Sequence, residues 1–145
     1  MGKLRYGLIG CGRISPNHLA AVQANQEEIE LVALCDIVSE RMDLVLSQVG
    51  VDGKDVKRYT DYHAMLQSEQ LDLVAIATES GSHAQIGLDC IDAGCHVIIE
   101  KPIALSIADA DKLIDAARDK GVILSSCHQN RFNKSIQKVR EAVEQ

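Results

Sequence analysis

Short, nearly continuous apolar runs alternate along the chain with longer stretches in which apolar residues recur every three or four positions. The runs Leu4–Ile9, Glu30–Cys35, Val56–Tyr59, Leu73–Ala77, His96–Ile99 and Val122–Ser125 are predicted strands. The third of them is the weakest. Little polar alternation within the others is the mark of strands covered on both faces.

The intervening segments predict helices. Within Ala84–Ala93, Ala84, Gly87, Leu88 and Ile91 make one apolar stripe, Ser82 and Gln85 form a capping-box pattern, and Gly94 stands at the stop. Ser106 with Asp109 signals the next start, Ala110, Leu113, Ile114 and Ala117 give the stripe, and Gly121 ends it. A further helix is read over about Ser39–Val49, and another beginning near Arg13–Pro16.

Strand and helix patterns in alternation predict an α/β fold, an open parallel sheet between helix layers joined by right-handed crossovers. After Ser126 the pattern changes. Cys127–Phe132 is polar and irregular, and Asn133–Gln145 returns to a helical spacing with Ile136, Val139 and Val143 as its apolar positions.

Composition narrows the class. The chain has 145 residues, 46% of them apolar, with two prolines, which suits one folded domain rather than a disordered segment. Fifteen Lys and Arg against 21 Asp and Glu leave a formal charge of −6, so no broad basic surface for nucleic acid or anionic lipid is expected. No run approaches the ~20 apolar residues of a membrane span, and the opening residues read as a first strand rather than a signal peptide. Five scattered cysteines, an odd number, suit a reducing compartment, and the cytoplasm is the expected location.

The first strand runs into Gly10-Cys11-Gly12-Arg13-Ile14-Ser15, a G-x-G-x-x-S form of the dinucleotide fingerprint. Gly10 permits a tight turn, Gly12 lets backbone approach a diphosphate, and N–H groups around Arg13 and Ile14 open the next helix toward the anion. Ser15 replaces the usual Gly or Ala, and its hydroxyl must find a partner. Asp36 ends the second strand 24 residues after Gly12, where a carboxylate can accept both ribose hydroxyls and favours NAD over NADP. Arg41 softens that preference, so NADP stays open. Arg13 has two readings, a contact to adenine or phosphate and a solvated helix-start arginine. His18 reads as surface or packing rather than ligand.

Ligands of open α/β sheets lie beyond the carboxyl ends of the strands. Three more polar segments fall there: Thr78-Glu79-Ser80-Gly81-Ser82-His83, Glu100-Lys101-Pro102, and Ser126-Cys127-His128-Gln129-Asn130-Arg131. Thr78 and Ser80 are candidates for the diphosphate–ribose region, though turn residues look the same. His83 is either a cofactor contact or a helix-start residue, and Asn130 is a candidate contact from the last segment. Lys101 is the candidate catalytic group, because an ammonium beside nicotinamide and a substrate hydroxyl can steady an alkoxide or relay its proton. Glu100 would orient it or offer a carbonyl to the carboxamide, and a cis bond before Pro102 would aim it. No metal site is expected: Cys90, Cys95 and His96 lack ligand spacing, and Cys127-His128 is adjacent.

Taken together, GLIGCGRIS, Asp36, TESGSH, EKP and QNRFN resemble the nucleotide-binding half of the glucose–fructose oxidoreductase / inositol dehydrogenase / rhizopine catabolism (Gfo/Idh/MocA) family over essentially the whole chain. Glu100-Lys101-Pro102 is the distinctive element. The resemblance implies a Rossmann-type doubly wound sheet, a lysine at 101 beside nicotinamide and substrate, and a cis bond before Pro102. His83 stands at the family's usual histidine position, whereas the family's Thr-Pro pair is Thr78-Glu79 here. QNRFN is similar to members acting on nucleotide-linked amino sugars or their uronic acids.

Family members are roughly twice as long, with a second α/β domain. The resemblance therefore implies an NAD(P)-binding domain over residues 1–126, with 127–145 as the truncated start of the substrate domain. Such a chain would bind cofactor, belong to a dehydrogenase of sugars, nucleotide sugars or polyols, and lack turnover alone. Its last apolar stripe could pair with another copy. The alternative reading is a non-catalytic nucleotide-sensing or assembly module.

Overall fold

Alternation of side chains along each strand builds the two cores. Leu8, Leu34 and Ala75 point to one face of the sheet, while their neighbours Ile9, Ala33, Cys35, Val74 and Ile76 point to the other. The computed structural model describes residues 2–144 and holds six parallel strands: β1 (Leu4–Ile9), β2 (Ile29–Cys35), β3 (Lys57–Tyr59), β4 (Leu73–Ile76), β5 (His96–Ile99) and β6 (Leu124–Ser126). Their spatial order is β3-β2-β1-β4-β5-β6. This is the doubly wound order, in which the winding reverses between β1 and β4.

Five α-helices cover the sheet, α1 (Ser15–Ala24), α2 (Glu40–Val49), α3 (Tyr62–Ser68), α4 (His83–Asp92) and α5 (Ile107–Lys120), and a sixth, α6 (Lys134–Val143), follows them with no residue buried. Leu19 and Val22 of α1 and Met42, Val45 and Leu46 of α2 fill one face. Met65 of α3, Ile86, Cys90 and Ile91 of α4, and Leu113 and Ala117 of α5 fill the other. Each large apolar side chain removed from water contributes about 1.5–3 kcal/mol, so these two layers supply most of the driving force. Gly87 lets α4 approach closely, because a Cβ there would meet Leu113 Cδ2 at 2.7 Å and Ile99 Cδ1 at 2.9 Å.

The predicted α/β rotation holds, with adjustments. β6 starts at Leu124 rather than Val122. The short helix α3 is absent from the periodicity reading, although Asp61 caps it by accepting the His63 N–H at 2.9 Å. Ser106 caps α5 as expected, accepting the Asp109 N–H at 3.1 Å. Ser82 does not cap α4 with its side chain. Its hydroxyl instead lies 2.8 Å from Thr78 Oγ1 and donates to the Glu79 carbonyl at 2.9 Å, so the capping-box reading is corrected.

Beyond β6 a 3-10 turn over Gln129–Phe132 leads into α6. Phe132, Ile136, Val139 and Val143 are all exposed there. No helix among the described residues is long and apolar enough to cross a membrane.

Candidate functional site

The sheet reverses its winding where β1 and β4 end, and the chain turns sharply there. Gly10 sits at φ +95°, and a Cβ on it would lie 2.5 Å from the Ala77 carbonyl group. Only glycine combines that backbone conformation with so close an approach. At Gly12 an added Cβ would meet nothing within 4 Å. It would project into a crevice of about 580 Å³ lined by Gly10, Gly12, Arg13, Asp36, Ile37, Arg41, Thr60, Tyr62, Ala77, Thr78, Glu79, Ser82 and Ile86, among others.

The backbone around this turn is divided between two tasks. The Gly10 N–H donates to the Cys35 carbonyl at 2.8 Å, tying the turn to β2. The Cys11 N–H donates to Asp36 Oδ2 at 2.7 Å. Among the described residues nothing accepts the N–H groups of Gly12, Arg13 or Ile14, and Ile14 at the N-cap provides no side-chain cap. Three free donors at a helix N-terminus make an anion cradle. Ser15 behind them is fully buried, and its hydroxyl donates to the Gly12 carbonyl at 2.6 Å, which resolves the departure from Gly or Ala.

Asp36 faces this cradle. Its Oδ1 accepts the Val38 N–H at 2.8 Å, and Arg41 Nη1 lies 3.6 Å from the same oxygen. Each carboxylate oxygen accepts more than one hydrogen bond, so a diol can still be received. Arg41 is half-exposed, and its pairing is worth about 0–1 kcal/mol. The Cys11 and Cys35 thiols beneath are pushed up to about 12, by burial first and the Asp36 charge second.

Thr78 lines the crevice, with its hydroxyl engaged by Ser82. Glu79 also faces the crevice. Hydrogen bonding by Ser82 and the Gly81 N–H holds its carboxyl below the usual range. Ser80 is half-buried and does not line the crevice. His83 is buried, 1% exposed, with Nδ1 2.7 Å from the Pro102 carbonyl and Nε2 3.1 Å from the Thr78 carbonyl. It therefore reaches the site through backbone rather than by lining the crevice.

Glu100 ends β5, its N–H donating to the Ile76 carbonyl at 2.9 Å. Its side chain turns inward to His18 Nε2 at 3.0 Å, so His18 is neither a surface residue nor a packing residue alone. Burial first, then Glu100, raises the Cys127 thiol. Lys101 and Pro102 are exposed, and the bond between them is cis. Asn130 is exposed in the 3-10 turn, apart from the crevice. A second hollow, about 860 Å³, lies between β6 and α6 and is lined by Ser126, His128, Arg131, Phe132 and Arg140, among others.

The structure thus gathers Gly10, Gly12, Arg13, Asp36, Arg41 and Thr78 around one crevice, and Ile14, whose N–H is the third free donor, does not line it. Sequence reasoning missed Thr60 and also Ile37, Tyr62 and Ile86, which give the crevice an apolar wall. Ile37, one residue beyond the singled-out Asp36, was the findable one.

This is the architecture of a dinucleotide-binding Rossmann domain. The profile of the Gfo/Idh/MocA oxidoreductase family, NAD-binding Rossmann fold, matches residues 4–128. The chain belongs to that family. It is 31% identical over 141 residues to the myo-inositol 2-dehydrogenase of Thermotoga maritima, covering 97% of this chain and 41% of that protein. It is 38% identical over 141 residues to the D-apiose dehydrogenase of Paraburkholderia graminis, covering 97% and 36%. Among solved structures, the WlbA dehydrogenase of Bordetella pertussis in complex with NADH and UDP-GlcNAcA superposes with a TM-score of 0.87 at 34% identity, covering 99% of this chain and 42% of that one. The chain thus spans about two fifths of the length of these relatives.

Proposed function

We propose that this chain is the cofactor-binding part of an NAD(P)-dependent oxidoreductase that moves hydride between nicotinamide and a hydroxyl-bearing carbon of a sugar, nucleotide sugar or polyol. The observation that carries the proposal is the glycine turn, where the N–H groups of Gly12, Arg13 and Ile14 have no acceptor among the described residues while Gly12, Arg13 and Asp36 line one crevice. When bound, the nicotinamide cofactor accepts or donates the hydride; the protein's part is to position and charge the surroundings.

In this reading the cradle receives the diphosphate and Arg13 adds positive charge beside it. Asp36 receives the adenosine ribose hydroxyls, which favours NAD, with Arg41 leaving NADP open. Ile37, Tyr62 and Ile86 offer an apolar wall for the adenine. Thr78 borders the diphosphate–ribose region, and Ser80 stays a candidate only as part of the same loop. Lys101, exposed at the end of β5, holds or relays the proton of the substrate hydroxyl, next to Glu100, Pro102 and, from the following turn, Asn130.

Residues 1–126 constitute the cofactor domain and 127–145 open a substrate domain. The exposure of the whole stretch from His128 to Glu144 supports that division. The bare stripe of Ile136, Val139 and Val143 suits a covering domain or a second copy. The five thiols, unpaired in the structure, suit the cytoplasm.

Calorimetric titration with NAD, NADP and their reduced forms tests the proposal. Saturable binding by the wild-type chain, abolished by Gly12→Val, is expected. A folded wild-type chain that binds none of the four contradicts it.

A further inference from the structure

Lys101 stands where the sheet stops supporting the chain. Between Glu100 and Ser106, no backbone group of residues 101–105 pairs with another backbone group among the described residues. Ile103 and Ala104 pack against the core, but Lys101 itself is exposed and has no ion-pair partner among the described residues. Yet the residues on either side of it are each held by a histidine. His18 Nε2 lies 3.0 Å from Glu100 Oε1, the two side chains being 11% and 8% exposed. His83 Nδ1 lies 2.7 Å from the Pro102 carbonyl.

The two histidines come from different helices beside the crevice. His18 belongs to α1, one turn beyond Ser15, on the helix whose first amides form the cradle. His83 begins α4, with Nε2 3.1 Å from the Thr78 carbonyl; a neutral ring donates to one carbonyl only, and the shorter contact is the one to Pro102. The glycine turn and the Thr78 loop are thereby both joined to the segment that carries the lysine. Hydrogen bonds in so dry a place are strong and hold direction well.

We propose that His18 and His83 are positioning residues that bracket Lys101, fixing its backbone on both sides so that its ammonium projects at one place beside the cofactor crevice. The inference rests on the reading of Lys101 as the proton-handling group. Neither histidine touches the reacting atoms. Each acts through a neighbour of the lysine, His18 through the Glu100 carboxylate and His83 through the Pro102 carbonyl.

The test is ¹⁵N relaxation of the whole chain, paired with titrations of ADP-ribose and NADH, on wild type, His18→Ala, His18→Gln and His83→Asn. In wild type, the amides of Lys101 and Ile103 are expected near the rigid order parameter of about 0.85. In His18→Ala and His83→Asn they drop toward about 0.6 while the sheet amides stay as they were. NADH affinity falls about tenfold in both variants, and in His18→Ala the ADP-ribose affinity is unchanged, because in this reading only the nicotinamide end borders the lysine. His18→Gln, which keeps a donor to Glu100, restores both readouts.

The proposal is overturned by amides 101 and 103 as rigid in the folded His18→Ala chain as in wild type, or by a loosening spread evenly over all strands. His18→Gln behaving like His18→Ala overturns it as well. His83 is buried, so the His18 pair carries the test should His83→Asn not fold. A wild-type chain that binds neither NADH nor ADP-ribose refutes the functional reading instead, while the relaxation data still decide whether the bracket exists.

Discussion

The Asp36 carboxylate accepts the Cys11 N–H at 2.7 Å, so the acidic residue ending β2 and the glycine turn ending β1 are one unit. Asp36 is 7% exposed and holds the turn before any ligand arrives. Its role in shape and its role toward a ribose are therefore coupled. Asp36→Ala leaves a buried N–H unpaired, and a stability loss of about 1–3 kcal/mol is expected in urea unfolding, alongside weaker NAD binding. An unchanged unfolding midpoint would show that the turn does not depend on the carboxylate.

The two glycines of the turn should separate under mutation. Gly10→Ala meets the Ala77 carbonyl group at 2.5 Å from a left-handed backbone position. The conformation costs about 1–2 kcal/mol, and overpacking adds about 1–3 kcal/mol, so a clear drop in Tm is expected. Gly12→Val projects into open space, so Tm stays near wild type while cofactor binding is lost. Thermal melts and calorimetry on the same two proteins check the contrast.

Cofactor preference should turn on one carboxylate and one guanidinium. Asp36→Ser removes the charge that repels a 2′-phosphate and leaves Arg41, 3.6 Å away in wild type, free to meet it. A shift of about tenfold or more in the NADP-to-NAD affinity ratio is expected. Adding Arg41→Ala should cancel it.

Alkaline pH should weaken the fold from beneath the site. The Cys11 and Cys35 thiols are held at about 12 in the folded chain, against the ordinary value of 9.0, chiefly by burial. With folded values raised, their contribution is fully present below pH 9 and is lost as pH rises through about 12. Urea midpoints should fall across that window and fall less in a Cys11→Ala, Cys35→Ala double variant. Neutral buried thiols should also resist alkylation near neutral pH.

Much of this arrangement is legible without coordinates, for definite reasons. Runs such as Leu73–Ile76 carry no polar alternation because both faces are covered, and Gly10 and Asp36 announce a turn and a strand end by residue type. The strand order β3-β2-β1-β4-β5-β6 comes from the structure, because parallel strands joined by helices also adopt the order 2-1-3-4-5. What was hidden is tertiary. The pairing of His18 with Glu100 spans 82 residues of sequence, and no local pattern encodes it. His83 looks like a residue free to touch a ligand until burial turns both ring nitrogens to carbonyls. Helix α3 spans only seven residues, too short for periodicity to register, so Tyr62 on the crevice wall went unseen. Ser82 had the pattern of a cap, but the nearby Thr78 hydroxyl and Glu79 carbonyl won its hydrogen bonds.

The central claim is that free amides at the start of α1 meet a diphosphate. A ¹H–¹⁵N correlation spectrum of the chain titrated with NAD reads those amides one by one. Saturable shifts largest at Gly12, Arg13 and Ile14, with Asp36 and Ile37 following the same curve, are predicted. Saturable shifts clustered elsewhere on the molecule, or none at all at millimolar NAD, would contradict the account.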